Sequence, residues 1–85
     1  MVFRERLIAN TESVFELEND EQQFMVMNLG PGDVYITFGK PATVDGPDAV
    51  LLPEGLWRDF YSDNPVYKVH VISSGTPKVQ IDIMG

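Results

Sequence analysis

Cysteine is absent from this 85-residue chain, histidine and tryptophan occur once each, and only six side chains are basic. Without cysteine there is no disulfide scaffold, no thiolate zinc site and no thiol redox chemistry, and the compartment stays open. The single His70 leaves no His-x-His or Glu-x-x-His pairing for a metal ion. The six cations, Arg4, Arg6, Lys40, Arg58, Lys68 and Lys78, are scattered among 13 carboxylates, for a net charge of −7. A protein that tracks phosphates needs a basic stripe, so nucleic acid is not an expected partner, and an anionic membrane surface repels such a chain. No apolar run approaches the roughly 20 residues that span a bilayer, and Met1-Val-Phe-Arg-Glu-Arg6 lacks the apolar stretch of a signal peptide. A soluble, unprocessed protein made inside the cell is the expectation.

Helical periodicity is scarce too, while period-2 alternation and turn residues recur. Phe24 and Val26 point one way and Met25, Met27 and Leu29 the other, which predicts a central strand covered on both faces. Gly30-Pro-Gly-Asp33 reads as a hairpin turn into the alternating strand Val34-Tyr-Ile-Thr-Phe38. Residues 39–48, with two Pro and two Gly, read as a loop crossing from one sheet to the other. Further strands are expected at 49–52, 56–61, 66–72 and 78–83, with turns at Pro53-Glu-Gly55, Ser62-Asp-Asn-Pro65 and Ser73-Ser-Gly-Thr-Pro77. Thr11–Leu17 reads as a strand and Glu18-Asn-Asp-Glu21 as a polar turn. The length allows one domain, whose modest core buries about 60% of the unfolded surface. The fold class is therefore all-β, a small antiparallel β-sandwich or barrel of six to eight short strands. Residues 11–85 form that single domain, and 1–10 are either an N-terminal arm that adds a strand to a neighbour or the first strand of the domain's own sheet.

Little in the chain points to catalysis. Ser13, Ser62, Ser73 and Ser74 are available to His70, yet none stands in a Gly-x-Ser-x-Gly elbow. A histidine within a strand is read as a surface or interface residue. Asp33, Asp45, Asp48 and Asp63 lie in loops, but no Asp-x-Asp-x-Asp-Gly calcium loop occurs and turn aspartates serve their own turns. No enzyme activity, metal or cofactor is expected. Trp57, Phe60, Tyr61 and Tyr67 crowd one stretch and suit a core, a protein interface or a sugar-stacking platform. The interface candidates are Phe3, Arg4 and Arg6 in the N-terminal segment and Trp57, Arg58 and Tyr61 in the aromatic stretch.

Asn28-Leu-Gly-Pro-Gly-Asp-Val-Tyr-Ile-Thr-Phe-Gly39 is followed by Leu52-Pro-Glu-Gly55, then Val69-His-Val-Ile-Ser-Ser-Gly-Thr76 and a closing alternating strand. Over roughly residues 22–84 this order resembles the small β-sandwich structural proteins of tailed bacteriophages. Glu54 is a departure, lengthening the usual turn. The resemblance implies a virion protein, above all a capsid decoration (cement) protein on the outer surface of the major capsid protein lattice. A minor tail, baseplate or connector component is the alternative. Its partners would be the major capsid protein or other virion proteins, it would self-associate as a homo-oligomer (a trimer at a local threefold axis fits), and it would reside in the virion after synthesis in the host cytoplasm. From another class, a carbohydrate-binding module for host attachment stays open on the aromatic stretch.

Overall fold

The computed structural model describes residues 2–83, with the side chains of 17–22 and 61–67 outside the description. It is all-β. Six strands follow in order: β1 (Val2–Arg6), β2 (Ser13–Asn28), β3 (Val34–Phe38), β4 (Val50–Leu52), β5 (Trp57–Ile72) and β6 (Lys78–Ile83). Every pairing is antiparallel, and the strand order is β1-β6-β2-β5-β3-β4.

Two of these strands are 16 residues long, and both serve two layers. The first half of β2 (Ser13–Glu16) pairs with the last part of β5 (Lys68–Val71), which also holds β3, and β3 holds β4. The second half of β2 (Gln23–Asn28) lies between the beginning of β5 (Trp57–Tyr61) and β6, and β6 holds β1. The result is two four-stranded antiparallel layers, a sandwich whose strand order ends at β1 and β4 without closing into a barrel.

The bend between the layers falls where turns were predicted. Between Glu16 and Glu21 β2 advances five residues while β5 advances two, and between Val66 and Tyr61 the excess lies on β5. The polar stretches 18–21 and 62–65 thus interrupt regular pairing as bulges, but the strands run on through them. Extra residues on one strand bend it and increase its twist, which is what folding one sheet over itself requires.

Two connections exchange the roles expected of them. Gly30–Asp33 does not close a hairpin: it carries the chain from the end of β2 in one layer to β3 in the other. Residues 39–49 do not cross layers; they join β3 to β4, direct neighbours in one layer. Turn chemistry reports that the chain reverses, whereas the partner of each strand depends on distant segments.

Alternation places the core between the layers. Val34, Ile36, Val69, Val71, Val26, Val79 and Ile81 are fully buried there. All five phenylalanines join them. Phe24 stacks on Phe60 at 5.6 Å, and Phe38 of the facing layer meets both edge-on at 5.7 and 5.1 Å. Phe3 of β1 meets Phe15 of β2 edge-on at 6.0 Å across the other end. Such pairs prefer offset or edge-to-face contact because the ring face is negative and its rim positive.

Asn28 ties the crossing together. It is fully buried, and its Nδ2 donates to the carbonyls of Gly32 and Leu52 at 2.8 and 2.9 Å while its Oδ1 accepts from Gly30 N at 2.9 Å. Gly30 and Gly32 adopt φ of +75° and +96°, where side chains are disfavoured, and a Cβ on Gly30 would lie 2.9 Å from Glu54 Cγ. Glu54 has a role there: its Oε1 accepts from Gly32 N at 2.6 Å, joining the Pro53–Gly55 turn to the crossing.

Candidate functional site

The outer faces of the two layers differ. On the layer built from β3, β4 and the adjoining parts of β2 and β5, alternation turns Val14, His70 and Thr37 outward in one row, Glu16 and Lys68 in the next, and Tyr35, Ile72 and Leu51 in a third. Residues 39–49 lie over this face. Thr37 Oγ1 donates to the Lys40 carbonyl at 2.6 Å, Tyr35 Oη donates to Asp45 at 2.7 Å, and the amide of the buried Ala42 donates to Glu12 Oε2. The bond to Asp45 holds the Tyr35 phenol above its ordinary value of 10, with desolvation and the charges of Asp45 and Asp33 adding to the shift.

His70 is covered rather than exposed, with 11% of its side chain accessible. Its Nδ1 lies 3.3 Å from Glu12 Oε1 but makes no aligned hydrogen bond. Two of the described serines are engaged elsewhere. Ser73 is buried, with its hydroxyl donating to the Asp33 carbonyl and accepting from Gly75 N, and the Ser13 hydroxyl donates to Glu5. The side chains of Ser62 and Asp63 lie outside the described residues. Asp45 and Asp48 serve the loop, the latter in an ion pair with Lys40 at 3.3 Å. Among the described residues no three His, Asp or Glu side chains group as metal ligands.

The second outer face, on β1, β6 and the adjoining parts of β2 and β5, carries no such loop among the described residues. The registers set its rows directly: Arg4, Gln80, Met27 and Trp57 in the middle, Val2, Asp82, Met25 and Asp59 to one side, and Arg6 and Lys78 to the other. Strands spaced about 4.8 Å apart put Arg4 and Trp57 roughly 14 Å from each other along one row. Side-chain bonds follow the surface, with Arg4 Nε donating to Gln80 at 2.8 Å and Gln80 Nε2 to Asp82 at 3.0 Å. Trp57 is 61% exposed and Val2 58%, with Leu29 at 47% just beyond the end of β2.

This face gathers three of the six residues singled out from the sequence. Arg4, Arg6 and Trp57 share it. Phe3 points the other way, into the core against Phe15. Arg58 lies on the inward side of its strand, its guanidinium 5.6 Å from the Phe60 ring, where it covers the sheet edge. The Tyr61 side chain lies outside the described residues. Sequence reasoning passed over Met25, Met27, Lys78 and Gln80. The alternation of Met25 and Met27 against Phe24 and Val26 was the signal, but the second apolar face is half-exposed rather than covered.

No protein-family model matches this chain, and no curated protein or solved structure matches it significantly.

Proposed function

We propose that this chain is a non-enzymatic structural protein of a tailed-phage virion, a decoration protein that docks on the outer surface of the major capsid protein lattice. One observation carries the docking part of this reading. The lone tryptophan stands 61% exposed on a sheet face that no loop covers among the described residues, although the same fold buries or half-buries every phenylalanine. Indole and guanidinium groups dominate the energetics of protein interfaces, and this face offers both on rigid strands. The virion part rests on the order of turns and strands between residues 22 and 84.

Quantitative mass spectrometry of purified source virions tests the assignment. A copy number that scales with the major capsid protein supports decoration of the lattice. A small count matching a ring moves the chain to the tail or connector, and absence from the particle overturns the virion reading. Trp57→Ala is expected to weaken particle binding by about 2–3 kcal/mol, a factor of roughly 30–150, with melting temperature nearly unchanged.

The exposed indole also favours a second reading, a carbohydrate-binding module in which Trp57 stacks on a sugar ring. A glycan array decides it: a specific hit lost in Trp57→Ala supports that reading, and a blank array removes it.

A further inference from the structure

The net charge of −7 suggests, taken alone, that the docking partner is basic. The distribution of that charge over the fold says otherwise. Among the described residues Arg4, Arg6 and Lys78 all project onto the Trp57 face, against Asp59 and Asp82. Half of the chain's six cations thus lie on one surface whose described residues carry a net charge of +1, within a chain of −7. Glu5, the remaining carboxylate of β1, lies on the other side of that edge strand by alternation, exposed at its rim, and accepts from Ser13 Oγ of the opposite layer at 3.1 Å.

The cations of the two layers also differ in their pairing. Lys40 and Lys68, on the loop-covered side, stand 3.3 and 3.7 Å from Asp48 and Glu16. Among the described residues Arg4, Arg6 and Lys78 make no salt bridge. Arg4 is held by Gln80 through Nε, which orients the guanidinium along the row, and its two terminal nitrogens make no hydrogen bond among the described residues. A guanidinium presented in this way fits a carboxylate through two parallel N–H bonds. Arg6 gives one N–H to the Thr76 carbonyl at 2.8 Å.

Distance makes the local charge the one a partner meets. The shortest dimension of the molecule is 17 Å. The Debye length at physiological ionic strength is about 8 Å, so carboxylates on the far layer are screened from a surface docked on this one.

We infer that the Trp57 face docks on an acidic protein surface, with a socket for the indole flanked by carboxylates on the side that meets β1 and β6. This rests on the docking reading above and names the chemistry of the partner.

The test measures co-sedimentation of the full-length chain with source virions that lack it, at low and at physiological salt. Wild-type protein is expected to bind, more tightly at low salt. Arg4→Glu, alone and with Lys78→Glu, is expected to weaken binding at least about tenfold, while Glu16→Gln with Asp48→Asn on the covered side leaves it unchanged. Circular dichroism melts of each variant confirm folding, and Arg4→Lys, which keeps the charge without the planar fork, is expected to fall in between. If wild type binds and Arg4→Glu binds equally or more tightly, the acidic-partner inference is overturned while the docking reading stands. If wild type does not bind the particles at all, both fall. Concentration-dependent dimerisation of wild type that Arg4→Glu abolishes, seen by sedimentation velocity, would assign the face to a second copy and overturn the inference as well.

Discussion

The two outer faces of this sandwich come from the same alternating strands, yet one is sealed and the other bare. On the sealed face Thr37, Ala42, Ile72 and His70 are buried or nearly so beneath residues 39–49, and the loop's polar groups are matched to Tyr35, Thr37 and Glu12. On the bare face Met25 and Met27 are half-exposed, and Trp57 stands in solvent. The longest loop among the described residues, 39–49, lies on a single side. The lesson is that a two-faced apolar strand does not imply two covered faces. A half-exposed second face with no loop over it among the described residues is a surface another molecule can use.

Mutations can break this contrast in decreasing order of effect. Asn28→Ala should cost the most, because it removes partners from the buried Leu52 carbonyl, the half-buried Gly32 carbonyl and Gly30 N at the crossing both layers share. With about 1–3 kcal/mol for each unmatched group, a loss on the order of 4 kcal/mol is expected in urea denaturation. A loss below 1 kcal/mol would show that the crossing is held by other bonds.

Next come matched substitutions on the two faces. Glu12→Ala unlatches Ala42 and leaves His70 without its neighbouring carboxylate, and should lower stability by about 1–2 kcal/mol. It should also speed amide hydrogen exchange at Ala42. Met27→Ser on the bare face should stay within about 0.5 kcal/mol, as surface changes do. Equal losses for the two variants would erase the distinction between sealed and bare.

The smallest effect is a pH dependence of the loop. The Tyr35 phenol, bonded to Asp45, holds its proton more tightly in the fold than in the unfolded chain. Its contribution is therefore complete below the unfolded value near 10 and is lost as pH rises through the higher folded value. Thermal melts between about pH 9 and 11 should fall more steeply for wild type than for Tyr35→Phe. Parallel slopes would show that the bond to Asp45 does not couple to folding.

How far the sequence was legible can be followed residue by residue. Phe24 and Val26, Val34 and Ile36, Val69 and Val71, and Val79 and Ile81 alternate in the sequence and are buried as that alternation predicts. The polar stretches 18–21 and 62–65 were legible as interruptions, though not as bulges inside continuous strands. The candidate face was half legible. Arg4, Arg6 and Trp57 were singled out, but Phe3 and Arg58 were placed beside them on proximity in the chain. A shift of one residue along a strand reverses the side it faces, and here the register, not nearness, sorts Phe3 from Arg4 and Arg58 from Trp57.

The sequence by itself determined the all-β character, the inward residues of the alternating central strands and the polar stretches where regular pairing breaks. These are local properties, set by period-2 alternation, β-branched content and backbone freedom at Gly, Pro and Asn. Tertiary structure alone decided that Gly30–Asp33 crosses the layers while residues 39–49 stay on one, and that β2 and β5 serve both sheets. It alone brought Arg4 and Trp57, 53 positions apart in the sequence, into one row. Strand partnership is a competition among distant segments for the same hydrogen-bonding edges, and it is resolved only when the whole core closes.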